Sequence, residues 1–194
     1  MAKKQKTLDE LFHETLKDIY YAEKKILTAL PKMAKAAQSE ELQAAFEKHE
    51  GETEGQVERL EQVFALCGLK PSAKTCPAIK GILEEGEEDM KEAKEPKVLD
   101  AGMIADAQAV EHYEIARYGT LIAWANQLGM ADAARLFQQN RHAPHRPRRG
   151  TAKSPGCVAA LAVLNLCSKC SSAGRLARAV TICAVRLAGR RSPA

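Results

Sequence analysis

Acid is missing from the last 54 residues of this 194-residue chain. Residues 141–194 hold 11 Lys and Arg and no Asp or Glu, a charge of +11. Residues 1–140 hold 18 Lys and Arg against all 25 acids, a charge of −7. The net +4 therefore describes neither part. Tyr, Phe, Trp, Met and Gln are also absent after residue 141, so no aromatics interleave the dispersed arginines. A stacking platform for nucleic acid is excluded there, and charge alone is a weak reason to expect nucleic-acid binding.

Cysteine is scarce where it would matter for a disulfide scaffold. Only Cys67 and Cys76 fall in the first 140 residues. "CSKC" at 167–170 has no second CxxC or histidine pair, which argues against a zinc site. Long apolar runs are missing too. "VAALAVLNLC" at 158–167 is about half of the ~20 residues a membrane span needs. "MAKKQK" leads into a charged amphipathic segment rather than an apolar signal core. A cytoplasmic, reduced protein that does not enter membranes is the expectation.

Strand-like alternation is absent, and helical periodicity takes its place. Thr7 followed by Glu10 forms a capping box for a helix running to about Ala37, with a kink expected at Pro31. Gln38-Ser39 makes a short turn, with Ser39 as the next N-cap. The second helix spans about Glu40 to Leu66 and ends at Gly68, antiparallel to the first. Residues 69–97 are punctuated by Pro71, Pro77 and Pro96, with a short, acidic, mostly exposed helix at 81–95. A long helix follows from Val98 to Leu128, ending at Gly129. Residues 130–140 begin another, and the breakers of 141–157 stop it. The fold class is all-α: an antiparallel bundle domain at 1–140 with its fourth helix incomplete or replaced, then a poorly ordered basic tail at 141–194.

Acids interrupt the apolar stripes. Read in steps of four and three, the first helix presents Phe12, Leu16, Ile19, Glu23, Ile26, Leu30, Met33 and Ala37. The second presents Leu42, Ala45, His49, Glu52, Gln56, Leu60 and Val63. The long third presents Ile104, Gln108, Glu111, Ile115, Tyr118, Ile122 and Ala125, with Glu114 one turn from Glu111. Lys and Arg are absent from all three stripes. An unpaired buried carboxylate costs several kcal/mol, by a rough reckoning, so a cation from outside the chain is the simplest resolution. Glu23 lies about 15 residues before the first turn and Glu52 about 13 after it, which places them at one height in an antiparallel pair. Carboxylates with one imidazole suit iron or manganese better than thiolate-seeking metals.

"TLDELFHETLKDIYYAEKKILTALPKMAKAA", "AFEKHEGETEGQVERLEQVF" and "ADAQAVEHYEIARYGTLIAWANQLG" resemble the ferritin-like stress-response family of the YciF/YciE type, over about residues 7–140. The resemblance implies a four-helix ferritin-like bundle, a homodimer, and a site for two divalent metal ions. The ligands it implies are Glu23, His49, Glu52, Glu111 and Glu114. His112 points about 100° from Glu111 and is a weaker candidate, and Tyr20 and Tyr118 lie near the site. Family members continue past Asn140 with an acidic fourth helix, whereas this chain reads "RHAPHRPRRG". The tail has the composition of a GC-rich gene read in a shifted frame. Two functions are expected to compete: chemistry of two irons with a small oxidant such as oxygen or peroxide, or a metal-free, non-enzymatic helical dimerisation module.

Overall fold

The computed structural model describes residues 6–141. The tail, its CSKC motif and the domain boundary at 140/141 lie at or beyond the edge of that region. Five helices follow in order: α1 Leu8–Ala36, α2 Glu40–Leu66, α3 Pro77–Glu92, α4 Pro96–Gln127 and α5 Ala131–Arg141. Among the described residues there is no strand, and no helix is long and apolar enough to cross a membrane.

Local chemistry sets the helix ends. Glu10 N donates to Thr7 Oγ1 (3.2 Å) while Thr7 N donates to Glu10 Oε2 (3.0 Å), so the capping box forms as expected. Pro31 lies inside α1, and the helix continues through it to Ala36. Ser39 is the N-cap of α2 but makes no side-chain capping bond. Instead, Asp100 reaches across from α4 and accepts from the backbone N–H groups of Gln38 (2.8 Å) and Ser39 (3.0 Å). A carboxylate beside the N-terminus of α2 is also favoured by that helix's dipole.

α2 and α4 end alike. Gly68 (φ 67°) and Gly129 (φ 74°) adopt the left-handed conformation. Leu69 N donates to Phe64 O (2.9 Å) and Gly68 N to Ala65 O (3.0 Å); Met130 N and Gly129 N repeat the pattern onto Ala125 O (2.8 Å) and Asn126 O (3.2 Å). Both ends are Schellman motifs, which reverse the chain within a few residues.

The topology follows from which ends meet. α1, α2, α5 and α4 are neighbours in that cyclic order, and α3 lies against α4 and α1. Tyr118 meets Glu23 while Asp100 meets the corner after α1, so α1 and α4 are antiparallel. The short links at 37–39 and 128–130 make α1/α2 and α4/α5 antiparallel as well. α2 and α4 therefore run parallel, joined by a crossover through α3. One long crossover in a four-helix bundle is the ferritin-like connectivity.

The α1 stripe packs as its pattern requires: Phe12, Leu16, Ile19, Glu23, Ile26, Leu30 and Ala37 are buried, with Met33 half-buried. The other two stripes hold only in their C-terminal halves. On α2, Phe46 and Thr53 are buried where Ala45 and Glu52 were expected; on α4, Met103, Val110 and Glu114 replace Ile104, Glu111 and Ile115. A strict seven-residue repeat drifts by about 20° per heptad on a straight helix. Anchored at Tyr118, the α4 stripe thus rotates off the core within two heptads. The expected α2 stripe instead steps by four twice between Glu52 and Leu60, whereas seven-residue steps back from Leu60 land on the buried Thr53 and Phe46. α3 also departs from expectation. It starts at Pro77 rather than residue 81, in the N1 position that proline favours, and is mostly exposed as expected, burying Ile79 and Gly86.

Gly129→Ala should lower stability by about 1–2 kcal/mol, because a side chain with φ near +74° is strained even where nothing crowds it. Gly51→Ala, in the exposed interior of α2 and equally uncrowded, should raise it by up to about 1 kcal/mol. Urea titrations of the two variants should move in opposite directions.

Candidate functional site

Glu23 is wholly buried at the middle of α1, and Glu114 on α4 is 6 % exposed. Each is brought in by its helix's apolar flanks: Ile19 and Ile26 around Glu23, Val110 and Tyr118 around Glu114. The two carboxyl groups are close enough to act on one another by charge and, when Glu114 is protonated, by hydrogen bonding. Tyr118, one turn beyond Glu114, donates to Glu23 Oε1 at 2.5 Å.

Removal from water dominates the ionisation of both acids. It pushes Glu23 up to about 7, opposed by the hydrogen bonds from Glu114 and Tyr118 and by the charge of Arg59. Glu114 rises well above the ordinary carboxyl range, through burial first and then the charge and hydrogen bonding of Glu23, with Glu111 adding to it. The pair thus holds a proton at neutral pH. The Tyr118 hydroxyl is raised too, by burial and then by the two acids.

The remaining expected residues are arranged less tightly. On α2, His49 Nδ1 stands 3.9 Å from Glu52 Oε2, and Lys48 Nζ is 2.7 Å from Glu52 Oε1. Glu111, one turn before Glu114, acts on it through its charge. The α2 residue that joins the Glu23 network is Gln56, one turn past Glu52: it meets Asn140, and Asn140 meets Tyr118. Among the described residues, no three His, Cys, Asp or Glu side chains converge closely enough to enclose a metal ion. His112 is exposed, its Nδ1 2.7 Å from the Gln108 carbonyl, as its angular position required.

Sequence reading missed two members of this network, Arg59 and Asn140, and did not single out a third. Arg59 lies off the stripe of α2, yet its Nε donates to Asn140 Oδ1 and its charge acts on Glu23. A cation from the chain therefore does reach the acids, which the stripes had excluded. Asn140 is the other, and Gln56 stood on the α2 stripe without being named as a site residue. The signals that existed were the i,i+4 spacing of Glu114 and Tyr118, and Gly55 four residues before Arg59.

Unpartnered oxygens remain. Apart from the acid–acid contact, Glu23 Oε2 and Glu114 Oε1 have no hydrogen-bond partner, and neither has Glu52 Oε2. Native proteins leave few such atoms, and each asks for an explanation.

The comparisons with known proteins agree with this architecture. Residues 7–146 match the model of a family described as a domain of unknown function, DUF892. The chain is 44% identical over 135 residues to Protein YciF of Escherichia coli (strain K12), covering 69% of this chain and 81% of that protein. The crystal structure of the E. coli stress protein YciF superposes with a TM-score of 0.67 at 43% identity, over 71% of this chain and 87% of that one. A solved structure from Rhodopseudomonas palustris, called YcfI and described in terms that suggest a structural role, gives 0.70 at 48% identity. It covers 73% of this chain and 90% of that one.

For metal-free protein the acid pair sets a pH dependence. The folded state retains protons that the unfolded chain releases from about pH 4.5. That stabilisation is therefore full below pH 4.5 and is lost as pH rises through about 7. For Glu23 the loss is on the order of 3 kcal/mol. Glu114→Gln, which stays neutral, should flatten this fall in urea-unfolding free energies between pH 5 and 8. Parallel profiles for variant and wild type would refute the assignment.

Proposed function

This chain belongs to the DUF892 family, and from that membership we propose that it is a ferritin-like stress protein whose central acids bind two divalent metal ions. The carrying observation is that two buried carboxyl groups face each other, with no other hydrogen-bond partner for Glu23 Oε2 and Glu114 Oε1, and that Glu52 Oε2 on a third helix has none either. Four carboxylates and one imidazole fit hard or borderline divalent cations in their donor chemistry, with iron first and manganese second. Glu23, His49, Glu52, Glu111 and Glu114 would hold the ions. Bound iron would supply electrons to a small oxidant such as oxygen or peroxide. The protein would act in the cytoplasm as a homodimer. The name of the E. coli relative, a stress protein, supports the physiological setting and says nothing of the reaction.

The protein's own groups have defined tasks in this reading. Glu114 would release its proton on cation binding beside Glu23. Lys48 and His49 keep Glu52 on the α2 side of the bundle. Tyr118 keeps Glu23 Oε1 occupied. The apolar shell of Ile19, Ile26, Val110 and Ile122 excludes water.

A second reading is favoured by the absence of any three converging ligand side chains among the described residues. In it the acids share a proton permanently, and the chain is a metal-free helical dimerisation module. The structural role suggested for YcfI lends it weight.

Reconstitution of the full chain with Fe(II) under anaerobic conditions separates the two. About two ions per chain are expected if the ferritin-like plan holds, with most of that content lost in Glu23→Ala and in Glu111→Ala. Metal content unchanged by both substitutions sinks the proposal. No metal uptake, with a dimer that survives both substitutions, establishes the second reading.

A further inference from the structure

A single file of hydrogen bonds crosses the bundle and touches all four of its long-bundle helices. Arg59 Nε on α2 donates to Asn140 Oδ1 on α5. Asn140 Nδ2 donates to Tyr118 OH on α4 at 3.0 Å. Tyr118 donates to Glu23 Oε1 on α1 at 2.5 Å. Asn140 and Tyr118 are almost wholly buried, 3 % and 1 % exposed, so water is a poor substitute for any link.

The direction of this file is not arbitrary. A guanidinium carries donors only, so the Asn140 atom that faces Arg59 must be the oxygen. The nitrogen then points the other way, where it also meets the Gln56 carbonyl at 3.2 Å, an obligate acceptor. With Asn140 donating to it, the Tyr118 oxygen has its own proton left to give, and Glu23 Oε1 is the acceptor within reach. Gly55 makes the first link possible. A Cβ there would stand 3.3 Å from one terminal nitrogen of Arg59 and 3.5 Å from the other, so the guanidinium lies over its own helix where a side chain would crowd it.

We propose that Asn140, oriented by Arg59 and the Gln56 carbonyl, is a positioning residue that aims the Tyr118 proton at Glu23 Oε1. Oε1 is thereby withheld, and Oε2 is the Glu23 oxygen left without a partner. That last consequence, that Glu23 would offer a cation one oxygen rather than two, rests on the metal-binding reading. The aiming itself does not.

The test is run on metal-free full-length protein with 13C-labelled glutamate side chains. Glu23→Gln assigns the Glu23 carboxyl resonance, and Tyr118→Phe gives its position without the phenolic donor. Asn140→Asp keeps an oxygen for Arg59 but presents a second oxygen to Tyr118, so the phenolic proton should turn away from Glu23. Its resonance should then move to the Tyr118→Phe position. Asn140→Leu removes donor and acceptor together at similar volume, leaves Tyr118 no rival acceptor, and should stay near wild type. A merely structural role would move both Asn140 variants alike, and that result overturns the proposal. So does an Asn140→Asp resonance at the wild-type position. Should Asn140→Asp fail to fold, the wild type carries the test in mixed H2O and D2O. An isotope splitting of the Glu23 carboxyl that Tyr118→Phe abolishes supports the proposal, and its absence overturns it. Because no metal is present, failure of Fe(II) uptake and failure of the hydrogen-bond assignment remain separate results.

Discussion

Two carboxyl groups pressed together in an apolar core are the constraint around which this bundle is built. Neither Glu23 nor Glu114 could be buried ionised and alone, since stripping an ion of water costs more than ordinary packing returns. The structure lowers that cost in three ways at once. A proton is retained between the acids, Tyr118 donates to Glu23, and Arg59 lends a positive charge from α2. The remedies for Glu23 come from α4 and α2, so the acids are tolerable only when α1, α2 and α4 are correctly docked. A polar centre of this kind penalises misregistered packings more heavily than an all-apolar one would.

The hydrophobic shell makes the remedies effective. Phe12, Phe137 and Tyr118 pack edge or tilted to one another across the bundle, and the low local dielectric of this dry shell strengthens the hydrogen bonds inside. α5 has a part out of proportion to its length. Phe137 supplies apolar cover, and Asn140, one turn later, ties Gln56, Arg59 and Tyr118 together.

Much of this was legible before any coordinates, and the failures have physical causes. α1 could be read residue by residue because a strong capping box starts it and large apolar residues hold one phase along its length. Glu23 stood out for that reason. α4 is apolar on several sides, so its phase was ambiguous, and a strict heptad chose Glu111 as the inward acid where the 3.6-residue period selects Glu114. Counting residues from a turn puts Glu52 and Glu23 at one height but ignores rotation about the helix axis, and Gln56 is the α2 residue that joins the Glu23 network. Arg59 escaped notice because stripe analysis weighs where a Cβ points, whereas a long side chain can fold back over a glycine to reach its target.

By itself the sequence determined the helices, their caps, their antiparallel pairing across short turns, and that acids lie within the core. Those properties depend on neighbours three or four residues away, which pattern alone records. Which acids touch, which oxygen is left without a partner, and which way the hydrogen bonds run were decided only by the tertiary structure. They arise where four helices distant in the chain converge, and a few degrees of helix rotation exchange one carboxylate for another.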